Sequence, residues 1–260
     1  MSRNLHKYYY KDYFGEKPEE IIDPDDRQNR RRIDASLNWL NIKTDKKNAP
    51  IIKKRNARLT GKGLLYVIEK PMDTNDAFQL EIVYPGLVTG IGINHEATIE
   101  GEFKLGVHFD WTYGMPVVYG SSVKGVLRSY FKEFYTPKEG QPTVEDAIED
   151  IFNGGKKSIY QRDVFFDAVI VGTDSKGRIL CFDSITPHDD NPLKNPTPLG
   201  FLKIASGCKL QFRFKLVDSV VDGKPFKKED KIKLFKEILT TVGIGAKTNV
   251  GYGQLKETSV

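Results

Sequence analysis

Hydrophobic and polar positions first settle into a regular rhythm at Phe78. Phe78-Gln79-Leu80-Glu81-Ile82-Val83-Tyr84 alternates, is rich in strand-forming residues, and closes at Pro85-Gly86. Further on, Val123, Val126, Leu127, Tyr130, Phe131 and Phe134 recur at helical spacing, which predicts a helix to about Tyr135 with Ser121 or Ser122 as its N-cap. A second, short helix is predicted from Thr143 to Phe152, stopped by Gly154-Gly155. Strand patterns follow at Val164 to Val171, Arg178 to Ile185 and Lys209 to Val217, with a proline-rich loop, His188 to Pro198, between the last two. Lys228 to Val242 has helical spacing at Ile232, Phe235, Ile238 and Leu239, and Tyr252 to Thr258 alternates as a final strand.

With insertions around 136–160 and 186–200 set aside, the order is strand, helix, strand, strand, helix, strand. That order predicts an α+β fold with a ferredoxin-like (RRM-like) βαββαβ core over residues 76–260. Helices then cover one face of an antiparallel sheet. The other face, or the loops beside it, is where RNA-recognition domains hold nucleic acid. Residues 1–75 differ in texture. They are charged and broken by Pro18, Pro24, Pro50 and Pro71, and read as a basic N-terminal arm with one short helix at Arg30 to Ile42.

Composition narrows the function. No apolar run approaches the roughly 20 residues that span a bilayer. Cys181 and Cys208, both on strand patterns, imply neither a disulfide framework nor a metal site, so a reducing cytoplasm is expected. The net charge of +5 matters less than its distribution. Arg30-Arg31-Arg32, Lys53-Lys54-Arg55, Arg58 and Lys62 concentrate positive charge in the first quarter, where phosphates are attracted, although Asp23, Asp25 and Asp26 lie close by.

Two glycine-rich loops carry the chemistry. The first, Tyr113 to Arg128, places Gly120, Ser121 and Ser122 at a helix N-terminus, where unpaired backbone N–H groups and the macrodipole favour an anion. Lys124 and Arg128 share one face of that helix. The second runs Gly243-Ile244-Gly245-Ala246-Lys247-Thr248-Asn249-Val250-Gly251-Tyr252-Gly253, a backbone nest suited to phosphate. It is not a nucleotide P-loop. That motif needs glycine where Thr241 and Ala246 stand, and it leads from strand to helix, the reverse of the order here.

The pairing of Gly120-Ser-Ser-Val-Lys-Gly-Val-Leu-Arg128 with Gly243-Ile-Gly-Ala-Lys-Thr-Asn-Val-Gly-Tyr-Gly253 resembles the RAMP superfamily of CRISPR-associated proteins. Leu87 to His95, His108 through Pro116, and Thr186-Pro187-His188 resemble more narrowly the RAMP subunit that caps the type III-B (Cmr) effector filament. The resemblance covers roughly residues 85 to 255. Tyr119 stands where that family usually has proline, and Val123 where it usually has leucine.

The resemblance implies binding of the 3′ part of a CRISPR guide RNA, with target RNA as a further ligand. It also implies contacts with a neighbouring RAMP backbone subunit and the small subunit, no cofactor, and cleavage performed elsewhere. It assigns RNA contacts to Ser121, Ser122, Lys124, Arg128, Lys247, Thr248, Asn249 and Tyr252, and close approach to Gly120, Gly243, Gly245, Gly251 and Gly253. His95, after the Gly90-Ile-Gly-Ile-Asn stretch, reads as a further RNA or backbone contact.

Catalysis is the rival reading. His95, His108 or His188 could serve acid–base cleavage of RNA with Lys247 stabilising the phosphorane, as in a metal-independent guide-processing endoribonuclease. Milder roles suit each histidine. His108 alternates with Phe109 and Trp111 as if in a strand, and His188-Asp189-Asp190 sits in a turn, so neither a catalytic nor a metal residue is expected. Tyr8-Tyr9-Tyr10, Tyr13 and Phe14 read as base-stacking or, better, as an anchor on a neighbouring protein, and Trp39 and Trp111 as core or interface.

Overall fold

The computed structural model describes residues 4–9, 49–66, 76–90, 101–103, 106–155, 157–186 and 198–258. It is an α+β fold built on an antiparallel sheet. The strands of that sheet are β1 (Asp76–Ile82), β2 (Val117–Val118), β3 (Val164–Phe165), β4 (Ala168–Gly172), β7 (Lys209–Lys215) and β10 (Leu255–Glu257). They lie in the order β10-β1-β7-β4-β2, with β3 also on β7. β5 (Leu180–Ile185) pairs with β6 (Leu199–Ile204), and β8 (Ser219–Val221) with β9 (Lys224–Phe226), each as a separate two-stranded ribbon. The helices are α1 (Leu5–Lys7), α2 (Ala49–Leu59), α3 (Gly120–Phe134), α4 (Val144–Ile148) and α5 (Lys228–Val242).

Register explains which face is packed. Phe78 lies opposite Phe212, Leu80 opposite Leu210 and Asp76 opposite Phe214, so these side chains point together toward the helices. α3 answers with Val123, Leu127 and Phe131, and α5 with Leu234, Phe235, Ile238 and Leu239, all buried. Phe152, Phe165, Phe214 and Phe235 pack ring against ring at the centre. Burying each such side chain contributes about 1.5–3 kcal/mol.

One core position is charged. Lys231 has no exposed surface; its Nζ donates to Asp163 Oδ2 at 2.7 Å and to the Val217 carbonyl at 2.9 Å. Asp150, itself paired with Lys157, lies 3.8 Å away. Burial pushes the Asp163 carboxyl up, and Lys231 opposes that. Removing either partner would strand a buried charge at a cost of about 3–5 kcal/mol.

Several elements fall elsewhere than the pattern predicts. α3 begins at Gly120, with Tyr119 as an N-cap that makes no side-chain bond, so neither Ser121 nor Ser122 caps it. The Val164–Val171 strand is broken at Phe166-Asp167, where Asp167 turns to bond α3. The Arg178–Ile185 strand becomes β5 and leaves the main sheet for the β5–β6 ribbon.

The arm is not wholly irregular. α2 forms with Pro50 in its first turn, where a missing N–H costs nothing. Leu5, Tyr8, Tyr9, Ile52 and Leu59 join the same core as the sheet. Tyr8 lies under Arg58, and the Tyr9 hydroxyl donates to the Phe103 carbonyl, so these two tyrosines anchor the arm on its own chain rather than on bases or a neighbour. Trp39, Tyr10, Tyr13, Phe14 and the Arg30 to Ile42 helix lie outside the described residues.

Candidate nucleic-acid interface

The second glycine-rich loop leaves α5 at Gly243, whose N–H bonds the Leu239 carbonyl, and closes back on itself. Ile244 N–H donates to the Gly253 carbonyl, Tyr252 N–H to the Lys247 carbonyl, and Ala246 N–H to the Val88 carbonyl at 2.8 Å. Between these ties a single 3₁₀ turn, Thr248–Val250, is entered through Lys247 in the left-handed region at φ 63°. Among the described residues, the N–H groups of Lys247, Thr248 and Asn249 find no acceptor. Three successive free donors beside an exposed lysine are the kind of backbone donor set that anion-binding nests use.

The glycines of this loop serve the protein's own packing first. A side chain at Gly243 would come within 2.6 Å of the Gly253 carbonyl oxygen, and one at Gly245 or Gly253 would overlap the Val88 or Ile244 carbonyl. Gly251, at φ 96°, has open space apart from Pro85 at 3.8 Å. It alone of the four leaves room outside.

The first loop differs from expectation. Gly120 N–H donates to Asp167 Oδ1 at 2.7 Å, and Ser122 and Val123 N–H both bond the Tyr119 carbonyl. A carboxylate therefore already sits at the positive end of α3, and Ser121 N–H is what remains free there among the described residues. At Gly120 any side chain would overlap the Phe165 carbonyl, so the protein's own packing already requires glycine there. Ser121 and Arg128 are exposed and Ser122 half-buried, while Lys124, also half-buried, has its ammonium 5.9 Å from the Phe165 ring. Among the described residues no carboxylate pairs with Lys124, Arg128 or Lys247.

A short relay connects the two loops. Ala246 bridges to Val88; the Thr89 hydroxyl accepts from His108 N–H at 2.6 Å; and the His108 ring stacks on Tyr119 at 4.8 Å, next to Gly120. Gly90 is required there, since a Cβ would lie 2.6 Å from His108 Cε1. His108 lies outside any strand, and burial lowers its pKa, so the ring is neutral near pH 7. His95 and His188 lie outside the described residues.

Tyr252 is 8% exposed, and its ring is no free surface. Its hydroxyl donates to Asp183 Oδ2 at 2.7 Å, and Lys203, 7% exposed, pairs with the same carboxylate. Burial and the bond to Asp183 push the Tyr252 phenol up to about 12. Burial would also raise Asp183, but hydrogen bonds from Lys203, Tyr252 and Ser184 N–H outweigh it and hold the carboxyl low. Sequence reasoning missed Asp183, Lys203 and Asp167, which carry no motif and meet the loops only through pairing across the fold.

The sheet face away from the helices presents Ala77, Gln79, Glu81, Gln211 and Arg213, and the described strands send no aromatic ring to it. Trp111, 66% exposed, stands on the turn after Asp110 and leans on His6 at 4.4 Å, so it belongs to no core. No helix among the described residues is long and apolar enough to cross a membrane.

An antiparallel sheet backed by two helices, with glycine-rich loops opening the first and following the second, defines the class. Residues 79–256 match the RAMP superfamily, and the chain belongs to that family. Over 157 residues it is 31% identical to the CRISPR system CMR subunit Cmr6 of Saccharolobus solfataricus, an alignment covering 58% of this chain and 48% of that protein. The chain thus spans about half the length of this curated relative. Among solved structures it shares its fold with a chain of the type III-B Cmr-beta complex bound to cognate target RNA. The TM-score is 0.50 at 23% identity, over 70% of this chain and 58% of that one. Cmr6 from Pyrococcus furiosus matches over 70% of this chain and 97% of its own, at 20% identity and a TM-score of 0.37.

Proposed function

We propose that this chain is a non-catalytic RNA-binding subunit of a type III-B CRISPR (Cmr) effector complex. It caps the filament and holds the 3′ part of the guide RNA by its backbone. The relative named as a Cmr6 subunit and the fold shared with a chain of a target-RNA-bound Cmr complex support the assembly. The strand order β10-β1-β7-β4, with α3 and α5 on one face, supports reading the core as ferredoxin-like. Its neighbours in this reading are the RAMP backbone subunit and the small subunit.

The observation that carries the RNA contact is the Lys247–Asn249 turn, with three acceptor-less N–H groups beside an exposed, unpaired lysine. Such donors read phosphate and ignore the base, as a guide of variable sequence requires. Ser121, Ser122, Lys124 and Arg128 extend the grip from the side of α3, through side chains rather than the capped helix end.

The test is RNA binding by the full chain with Lys124→Ala and Lys247→Ala combined. Two lost phosphate contacts should weaken binding and reduce the slope of log affinity against log salt by roughly 1.4, at about 0.7 per contact on a single strand. Unchanged affinity and slope overturn the grip. Site-specific cutting of repeat RNA in EDTA, abolished by His108→Ala, would overturn the non-catalytic part.

A further inference from the structure

Tyr84 is 81% exposed, the most exposed large apolar side chain among the described residues. It is not a loose loop residue. Gly86 N–H bonds the Val83 carbonyl at 2.9 Å, Val83 N–H bonds the Gln254 carbonyl at 2.9 Å, and Gly253 N–H bonds the Gly86 carbonyl at 2.8 Å. The turn that carries Tyr84 is thereby fastened to both ends of the strand-loop junction. Of the exposed rings, Trp111 leans on His6 and Phe182 stacks on Phe103 at 5.6 Å, whereas Tyr66, Tyr130 and Tyr160 share with Tyr84 the lack of a ring partner among the described residues, so position decides between them. Among the described residues no ring touches Tyr84.

Its position is specific. A side chain at Gly251, just past the Lys247–Asn249 turn, would meet Pro85 at 3.8 Å, so the Tyr84–Gly86 turn adjoins that loop, and the Tyr84 and Tyr252 phenols lie near enough to interact. Val250, which precedes Gly251 in the chain, is 63% exposed. An exposed aromatic ring thus stands on a backbone tied to the loop that carries the free donors, while the open face of the described strands offers no ring at all. Nucleic-acid proteins that hold single strands combine these two elements, a backbone grip and a stacking face.

We propose that Tyr84 is the stacking platform for one unpaired base of the RNA strand whose phosphate the Lys247–Asn249 turn holds. The inference rests on the RNA-binding reading of that turn and names where the adjoining base goes. Because the backbone that carries the ring is fixed, stacking has only the side-chain torsions of Tyr84 left to order. Stacking is indifferent to base identity, so the subsite adds affinity without adding sequence preference.

The experiment uses the full chain and single-stranded RNA oligonucleotides carrying 2-aminopurine at successive positions. Wild type should quench the fluorescence strongly at one position. Tyr84→Ala should lose that quench and weaken binding roughly fivefold to a hundredfold, with the salt slope unchanged; Tyr84→Phe should retain both. The thermal midpoint of Tyr84→Ala should match wild type, since the side chain is exposed. Full affinity and full quench in Tyr84→Ala, with Lys247→Ala still weak, overturns the stacking site and leaves the phosphate grip standing. No effect from Lys247→Ala either would instead overturn the RNA reading itself. If Tyr84→Ala binds RNA normally but fails to join its neighbouring subunit in complex reconstitution, the ring serves a protein contact and the inference is wrong.

Discussion

The Tyr252 hydroxyl donates to Asp183 Oδ2 across 2.7 Å, joining the end of the second glycine-rich loop to strand β5, 69 residues earlier in the chain. Lys203 on β6 completes the cluster from beneath the ring, 5.4 Å from its centre. The loop is therefore tied to the β5–β6 ribbon as well as shaped by its own glycines.

Tyr252→Phe removes the tie and keeps the ring. The loss should be about 1–2 kcal/mol, below the usual range for a bond to a charged group because Asp183 is partly exposed. For a chain of this size that lowers the thermal midpoint by a few degrees. Scanning calorimetry checks it, and a wild-type midpoint would show that the loop is held by backbone pairing alone.

Two glycines of one helix should respond oppositely. Gly120→Ala drives a methyl into the Phe165 carbonyl and should cost about 1–3 kcal/mol. Gly125, exposed on the same helix with open space around the position a methyl would take, should gain about 0.5–1 kcal/mol on change to Ala. Urea unfolding separates them, and equal effects would mean that the close approach at Gly120 is unimportant.

His108 sets a pH dependence. Burial lowers its folded pKa, so the unfolded chain binds the proton more readily. Its contribution to stability is fully present above about pH 6.5, the unfolded value, and is lost as pH falls through the folded pKa. His108→Phe keeps the stack on Tyr119 but removes the titration, so its thermal midpoint should fall less between pH 7.5 and pH 5.5 than that of wild type. An identical fall in both proteins would remove His108 from the account.

Local chemistry was readable where one segment decides its own shape. α5 spans the residues its apolar spacing predicts, and Thr143 caps α4 while Gly154 in the left-handed region ends the π-helical turn that follows. What could not be read is pairing across the fold. Asp167 displaces the expected serine cap because β3 and β4 bring it to Gly120 from 47 residues away. β6 was hidden because Leu199–Ile204 follows a proline-rich stretch and, among the described residues, pairs with β5 and Leu87 rather than with the main sheet. α2 escaped because Pro50 looks like a breaker when its place in the first turn is unknown, and among the described side chains Ile52 and Leu59 mark its buried side. The loop glycines were legible as glycines, but most answer to carbonyl groups of the same chain.

The carboxylate of Asp167 also decides what kind of anion can be retained. It acts as a resident counterfeit of phosphate at the start of α3, so a solitary inorganic ion or mononucleotide finds that berth taken and, nearby, only scattered side-chain donors. On the RNA-binding reading proposed above, a polymer could engage Lys124, Arg128 and the Lys247 turn together, its linked charges accumulating what no single charge obtains. On that same reading, long strands are favoured over small anions at the start of α3 before any base is inspected.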